Sequence, residues 1–175
     1  MKDFARIGII CVLLLSTVFG SAEELPHDFN AAYTAGKITS ENKNTRITIE
    51  MPPALTYTCE NSCVFTYNAA YVFRMSAGNS TITTSEAVED LTKIRINRTL
   101  TGENCTIKIS TDNISWTQIT DATLIEYDTY YMTVTMPAKG NYYVQIGRTS
   151  GSYVLEILEI TYIVSPCHCL RIVSE

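Results

Sequence analysis

Histidine, tryptophan and basic clusters are what this sequence has least of. His27 and His168 are its two histidines and Trp116 its one tryptophan. His27 stands beside Pro26 near the start, and His168 lies between two cysteines near the end. Neither sits in a pattern that pairs a nucleophile with an oriented base, so neither is assigned to nucleophilic catalysis. Lys and Arg number 13 against 18 Asp and Glu, and they are scattered. That balance argues against nucleic acid and anionic lipid as partners. No helical periodicity competes with the strand pattern after residue 36. No apolar run reaches the ~18–20 residues that span a bilayer, because Glu156 and Glu159 break the longest late stretch, residues 154–164.

The start of the chain has its own pattern. Met-Lys-Asp-Phe-Ala-Arg precedes an apolar run from Ile7 to Phe19, then small residues at Gly20, Ser21 and Ala22. This is the pattern of a secretory signal peptide, residues 1–22, with cleavage expected after Ala22 and Gly20 as the second choice. Removing Lys2, Asp3 and Arg6 leaves 11 basic and 17 acidic residues, a formal charge of −6. Residues 23–175 then form a single domain, long enough to bury its own core, with a cysteine-containing C-terminal tail. A secreted or extracellular location follows.

Of the 6 cysteines, Cys11 leaves with the signal peptide. Five remain: Cys59, Cys63, Cys105, Cys167 and Cys169. In an oxidising compartment the odd number implies up to two disulfides and one other thiol. Cys59 and Cys63 enclose the turn-like Glu-Asn-Ser, so local pairing is the first expectation. Cys167 and Cys169 make the second close pair, and Cys105, alone in sequence, is the expected free thiol. Cys167-His168-Cys169 with Cys59 and Cys63 has the wrong spacing for a structural zinc site, so no metal and no cofactor is expected. Asn79, Asn97, Asn104 and Asn113 each begin an Asn-x-Ser/Thr sequon and are the candidate glycosylation sites.

Period-two alternation of Val, Ile, Thr and Tyr runs through most of the chain after residue 36 and predicts strands. Ile38, the polar turn 41–44 and Ile47, Ile49 and Met51 suggest an opening hairpin. One or two strands lie around Asn68-Ala-Ala. Strands follow at 81–84, through Ile94 and Ile96 with Asn97 outward, through Ile107 and Ile109, and on to Trp116 and Ile119. Met132, Val134 and Met136 predict a hairpin with Tyr142, Val144 and Ile146, pairing Met136 with Tyr142 across Pro-Ala-Lys-Gly-Asn. A phase shift at Ile157-Leu158 predicts a bulge or a strand buried on both faces. Eight or nine strands at ~10-residue spacing indicate an all-β, antiparallel two-sheet β-sandwich, with a jelly roll preferred to an immunoglobulin-like arrangement.

The segment Ile107-Lys-Ile-Ser-Thr-Asp-Asn-Ile-Ser-Trp116-Thr-Gln-Ile119 resembles the strand, turn, Trp, strand hairpin of galactose-binding-like jelly-roll modules, a carbohydrate-binding-module-like class. Phe73 to Thr84 followed by Leu91-Thr-Lys-Ile-Arg-Ile96, and Tyr142-Tyr-Val-Gln-Ile146 with Leu158-Glu-Ile-Thr-Tyr162, extend the resemblance over residues 70–163. It implies a non-catalytic extracellular module that binds carbohydrate or mediates adhesion. Many members carry an Asp-Asn pair entering the last strand; Glu156-Ile157 stands there in this chain, which leaves a calcium site at that place unsupported.

Trp116, Tyr131 and Tyr143 are the candidate ligand-binding rings. Alternation directs Tyr131 and Tyr143 outward, and the predicted hairpin puts them on one face, about 13 Å apart along the strands. The same rings are also ordinary strand residues by propensity, and Trp116 also fits a core position. Glu89, Asp90, Asp112, Asp121, Glu126 and Asp128 are the carboxylates that a glycosidase reading would pair. Asp112 and Asp121 sit where turns favour Asp, and Glu89-Asp90 reads as a solvated loop. Three functions stay open: a module for glycans or a cell-surface partner, a subunit of an extracellular coat or matrix with disulfide-linked oligomers, and a hydrolase.

Overall fold

The computed structural model describes residues 21–36, 47–51, 55–67, 69–99, 105–149 and 154–165. Most of the expected signal peptide, Ile38 and the turn at 41–44, the Asn104 sequon, and Cys167, His168 and Cys169 lie outside the described residues. Twelve strands are described: β1 Glu23–Asp28, β2 Ile47–Met51, β3 Leu55–Glu60, β4 Cys63–Tyr67, β5 Tyr71–Met75, β6 Thr81–Thr84, β7 Val88–Thr99, β8 Cys105–Ser110, β9 Thr117–Gln118, β10 Ile125–Tyr127, β11 Tyr131–Arg148 and β12 Leu155–Val164. One short helix, α1 at Phe29–Thr34, follows β1 and starts where the Asp28 carboxylate accepts the Ala31 N–H at 2.8 Å.

The strands form two antiparallel sheets of a β-sandwich, as the alternation predicts. The first sheet runs β10, β11, β7, β12 and then β5 and β4, with β1 beside the later part of β12. The second runs β2, β3, β6, β11, β8 and β9. Their inner faces close on one core, to which Leu91, Ile94, Ile96, Val134 and Ile160 contribute from the first sheet. Tyr57, Ile82, Ile107, Val144 and Ile146 contribute from the second. The shift read at Ile157-Leu158 is a register break in β12 between Ile157 and Glu159. Residues around Asn68 make two strands, β4 and β5, joined where Ala69 takes a φ of 66°.

One expectation is overturned. Residues 131–148 do not fold back as a hairpin; they form the single strand β11, which belongs to both sheets. Its first part pairs with β7 and β10, placing Val134 opposite Ile94 and Ile125. Its last part pairs with β8 and β6, placing Val144 opposite Ile109 and Ile146 opposite Ile82. The bend falls between Thr135 and Tyr142, where the register with β7 slips twice. Pro137 is exposed there, and Tyr142 Oη donates to the Ala138 carbonyl at 3.1 Å. A strand that changes sheet at a bulge closes the corner of the sandwich without a loop.

The first strand and helix were not visible in the alternation. Leu25 and His27 point inward from β1, and Phe29 begins α1 fully buried. His27 Nδ1 lies 2.7 Å from Tyr57 Oη, and Tyr57 Oη donates to Tyr162 Oη at 2.9 Å. Because the one Tyr57 hydroxyl hydrogen goes to Tyr162, Nδ1–H of His27 is the donor to Tyr57. This buried chain of three groups ties β1 and β12 of the first sheet to β3 of the second.

Candidate functional site

The connection between β8 and β9 is short and internally bonded. Asp112 Oδ1 accepts the Ser115 N–H at 2.7 Å, the Ile114 N–H at 2.8 Å and the Ser110 hydroxyl at 2.8 Å. These donors, the Ser115 N–H first, hold the Asp112 carboxyl well below the usual carboxylate range. Asn113 takes the left-handed φ of 59° that lets the chain turn this sharply. So the Asp-Asn turn has a mechanical role: it leaves Ile114 in solvent and brings Trp116, half-buried, toward the outer surface of the second sheet.

Trp116 lines a depression of about 340 Å³ together with Thr58 and Glu60 of β3, Thr83 of β6, Gln145 of β11, Ser85 and Asn113. Outward positions of three neighbouring strands make its floor. Gln145 Nε2 donates to Thr83 Oγ1 at 3.2 Å, and the Thr58 and Ser85 hydroxyls approach to 3.5 Å. Glu60 is the one charged residue in that lining. The surface therefore offers an aromatic ring, hydroxyls, two carboxamides and a single carboxylate.

Of the three rings named from sequence, Trp116 is in this depression. Tyr143 faces outward on the same sheet opposite Ser110 but is not among the residues lining it. Tyr131 lies elsewhere, and its expected place on one face with Tyr143 is corrected: it faces outward from the first sheet, opposite Asn97. The reason is the path of β11, which changes sheet between the two tyrosines. Around Tyr131 is a second depression of about 520 Å³, lined also by Arg95, Glu126, Tyr127, Asp128 and Thr133. The Arg95 guanidinium is 5.8 Å from the Tyr131 ring centre and 3.2 Å from Glu24, and Arg98 is 5.4 Å from that of Tyr127. Each of these cations lies over one face of its ring.

The sequons divide by position. Asn79 is exposed in the turn before β6, Asn97 is half-buried on the central strand β7, and Asn113 is exposed at the Trp116 depression. Cys59, Cys63 and Cys105 are buried thiols, and burial pushes that of Cys105 up to about 12. Among the described residues no cluster of His, Cys, Asp and Glu could hold a metal ion, and no helix is long and apolar enough to cross a membrane.

No protein-family model and no curated protein sequence matches this chain. Among solved structures it is similar to CpGH89CBM32-6 produced by Clostridium perfringens, at 18% identity, over 64% of this chain and 94% of that one, with a TM-score of 0.43. It is also similar to the low affinity xylan binding module CBM86 from the xylanolytic gut symbiont Roseburia intestinalis. There the identity is 10%, the cover 83% of this chain and 96% of that one, and the TM-score 0.42. The fold assignment rests on the strand pairing described above.

Proposed function

We propose that this protein is a secreted, non-catalytic carbohydrate-binding module whose ligand lies on the outer face of the second sheet, against Trp116. The observation that carries this reading is the composition and construction of the Trp116 depression. A pyranose ring presents an apolar C–H face and a rim of hydroxyls. An indole held on a bonded turn fits the face, and the Gln145 and Asn113 carboxamides with the Thr58, Thr83 and Ser85 hydroxyls fit the rim. The volume lies at the lower end of the ~300–1,000 Å³ common for ligand sites, which suits a short saccharide. Glycosidic hydrolysis uses two flanking carboxyl groups, and Glu60 is the carboxylate lining this surface, which supports binding without cleavage.

Because Trp116 is the only tryptophan, its fluorescence reports the site directly. Titration of the secreted chain with neutral oligosaccharides is expected to shift the emission saturably. Trp116→Ala is expected to weaken binding at least ~10-fold, about 1.4 kcal/mol, with an unchanged unfolding temperature, whereas Tyr131→Ala leaves affinity alone. Binding that survives in Trp116→Ala and is lost in Tyr131→Ala would move the site to the first sheet; a glycan array without hits would end the carbohydrate reading.

The reading extends to processing. We take Asn79, Asn97 and Asn113 as acceptors in a host with the Asn-x-Ser/Thr transferase, and a glycan on Asn113 would stand over Trp116. Protein from such a host is then expected to show weaker acrylamide quenching of Trp116 than the Asn113→Gln variant made in the same cells. Equal quenching, with mass spectrometry confirming the glycan at Asn113, would show that the two do not share space.

A further inference from the structure

The chain passes from the second sheet to the first at β3–β4, and that corner is built from two cysteines. Cys59 is the fifth residue of β3, Cys63 is the first of β4, and the three residues between them make the turn. Asn61 and Ser62 both adopt left-handed φ, 56° and 63°, a pairing that non-glycine residues rarely take and that draws the two strand ends together. Cys59 and Cys63 are 0% and 1% exposed and both are free thiols in this structure, and the neighbouring Cys63 adds to the upward push that burial gives the Cys59 thiol. Cys105 is not a competitor for Cys59. It lies on β8, and β6 and β11 intervene between β8 and β3. Three interstrand spacings of ~4.8 Å place it at about 14 Å, beyond the reach of a disulfide.

We propose that Cys59 and Cys63 form a disulfide in the secreted protein, a covalent clip between the two sheets at the β3–β4 corner. The Sγ–Sγ bond forms as both S–H bonds are lost. The two electrons and two protons pass to a disulfide of a thiol–disulfide oxidoreductase of the oxidising compartment, which becomes a dithiol. Burial pushes the Cys59 thiol up, so the folded dithiol is unreactive and exchange happens before the sheets close. Once closed, the clip is shielded from reductants as well. Thr58 and Glu60, which flank Cys59 on the outward side of β3, are walls of the Trp116 depression, so the clip also fixes one side of that surface.

Trypsin separates the possibilities in the wild-type chain. Residues 47–74, between Arg46 and Arg74, carry both Cys59 and Cys63; residues 99–108 carry Cys105; residues 149–171 carry Cys167 and Cys169. The chain is secreted into an oxidising compartment, denatured without reductant, alkylated and digested. The clip requires the 47–74 peptide to be unalkylated and about 2 Da lighter than after reduction, with alkylation on Cys105. Alkylation of both Cys59 and Cys63, or a cross-link from the 47–74 peptide to either of the others, overturns it. This result does not depend on any ligand.

Discussion

Between neutral pH and pH 4.5 the folded chain is expected to lose most of a ~3 kcal/mol contribution to its stability through one imidazole, His27. Its side chain is 2% exposed, and desolvation lowers its pKa from 6.5 to about 4. The unfolded imidazole takes up a proton as the pH falls through 6.5, while the folded one resists until about 4. Protons in that window therefore bind the unfolded state, so stability present above pH 6.5 is lost progressively toward pH 4. The difference between the two values sets the ~3 kcal/mol. Tyr57 and Tyr162, the groups bonded in line with His27, are both raised by burial and do not titrate there. Asp112 and Asp121, held low chiefly by the Ser115 N–H and the Thr123 hydroxyl respectively, contribute only below the window. Urea unfolding at pH 7.5 and pH 4.5 measures the loss, and His27→Gln should remove the difference. A wild-type curve that is flat over this range, or a His27→Gln variant that keeps the slope, would dismiss the imidazole as its source.

Phe73→Ala is expected to cost ~3–5 kcal/mol and to leave a loosely packed or unfolded chain. Phe73 is fully buried on β5, with the Phe29 ring 4.6 Å away, Phe65 at 5.4 Å and Tyr57 at 5.7 Å. Tyr57 comes from the opposite sheet and Phe29 from the helix, so the deleted ring is shared by three elements that have no backbone pairing with one another. The cavity has no easy route to collapse, because its walls are held by strand ladders on both sides. Such a loss is a large part of the 5–15 kcal/mol that holds a domain of this size together. Thermal unfolding followed by near-UV circular dichroism reads the effect; a shift in midpoint of less than a few degrees would mean that the aromatic cluster is not where the two sheets are joined. Phe73→Leu, which keeps much of the volume, should recover most of the stability.

Much of this protein is legible along the chain. Alternation of Ile94 with Ile96, Ile107 with Ile109 and Val144 with Ile146 names inner-face residues, because a strand with one buried face repeats every two residues. The Asp112-Asn113 turn, the bulge after Ile157 and the closeness of Cys59 to Cys63 are likewise local events, set by residues within a few positions of one another. The path of residues 131–148 is different. Met132, Val134, Met136, Tyr142, Val144 and Ile146 are all even-numbered, so one continuous strand and a hairpin with a five-residue loop give the same inward set. Periodicity cannot separate the two. What separates them is which distant strands complete the hydrogen bonds, β7 and β10 for the first part and β6 and β8 for the last. That choice put Tyr131 and Tyr143 on different sheets and left Trp116 alone at the candidate site. His27 was hidden for the same reason, since a histidine in a short polar stretch becomes a core residue only when Tyr57 arrives from the other sheet to accept its hydrogen bond. The sequence by itself determined the strands, their inward faces and the turn that carries Trp116, through short-range sterics and hydrophobic alternation; pairing between strands far apart in the chain, decided only when the two sheets close on one core, determined which outward residues share a surface.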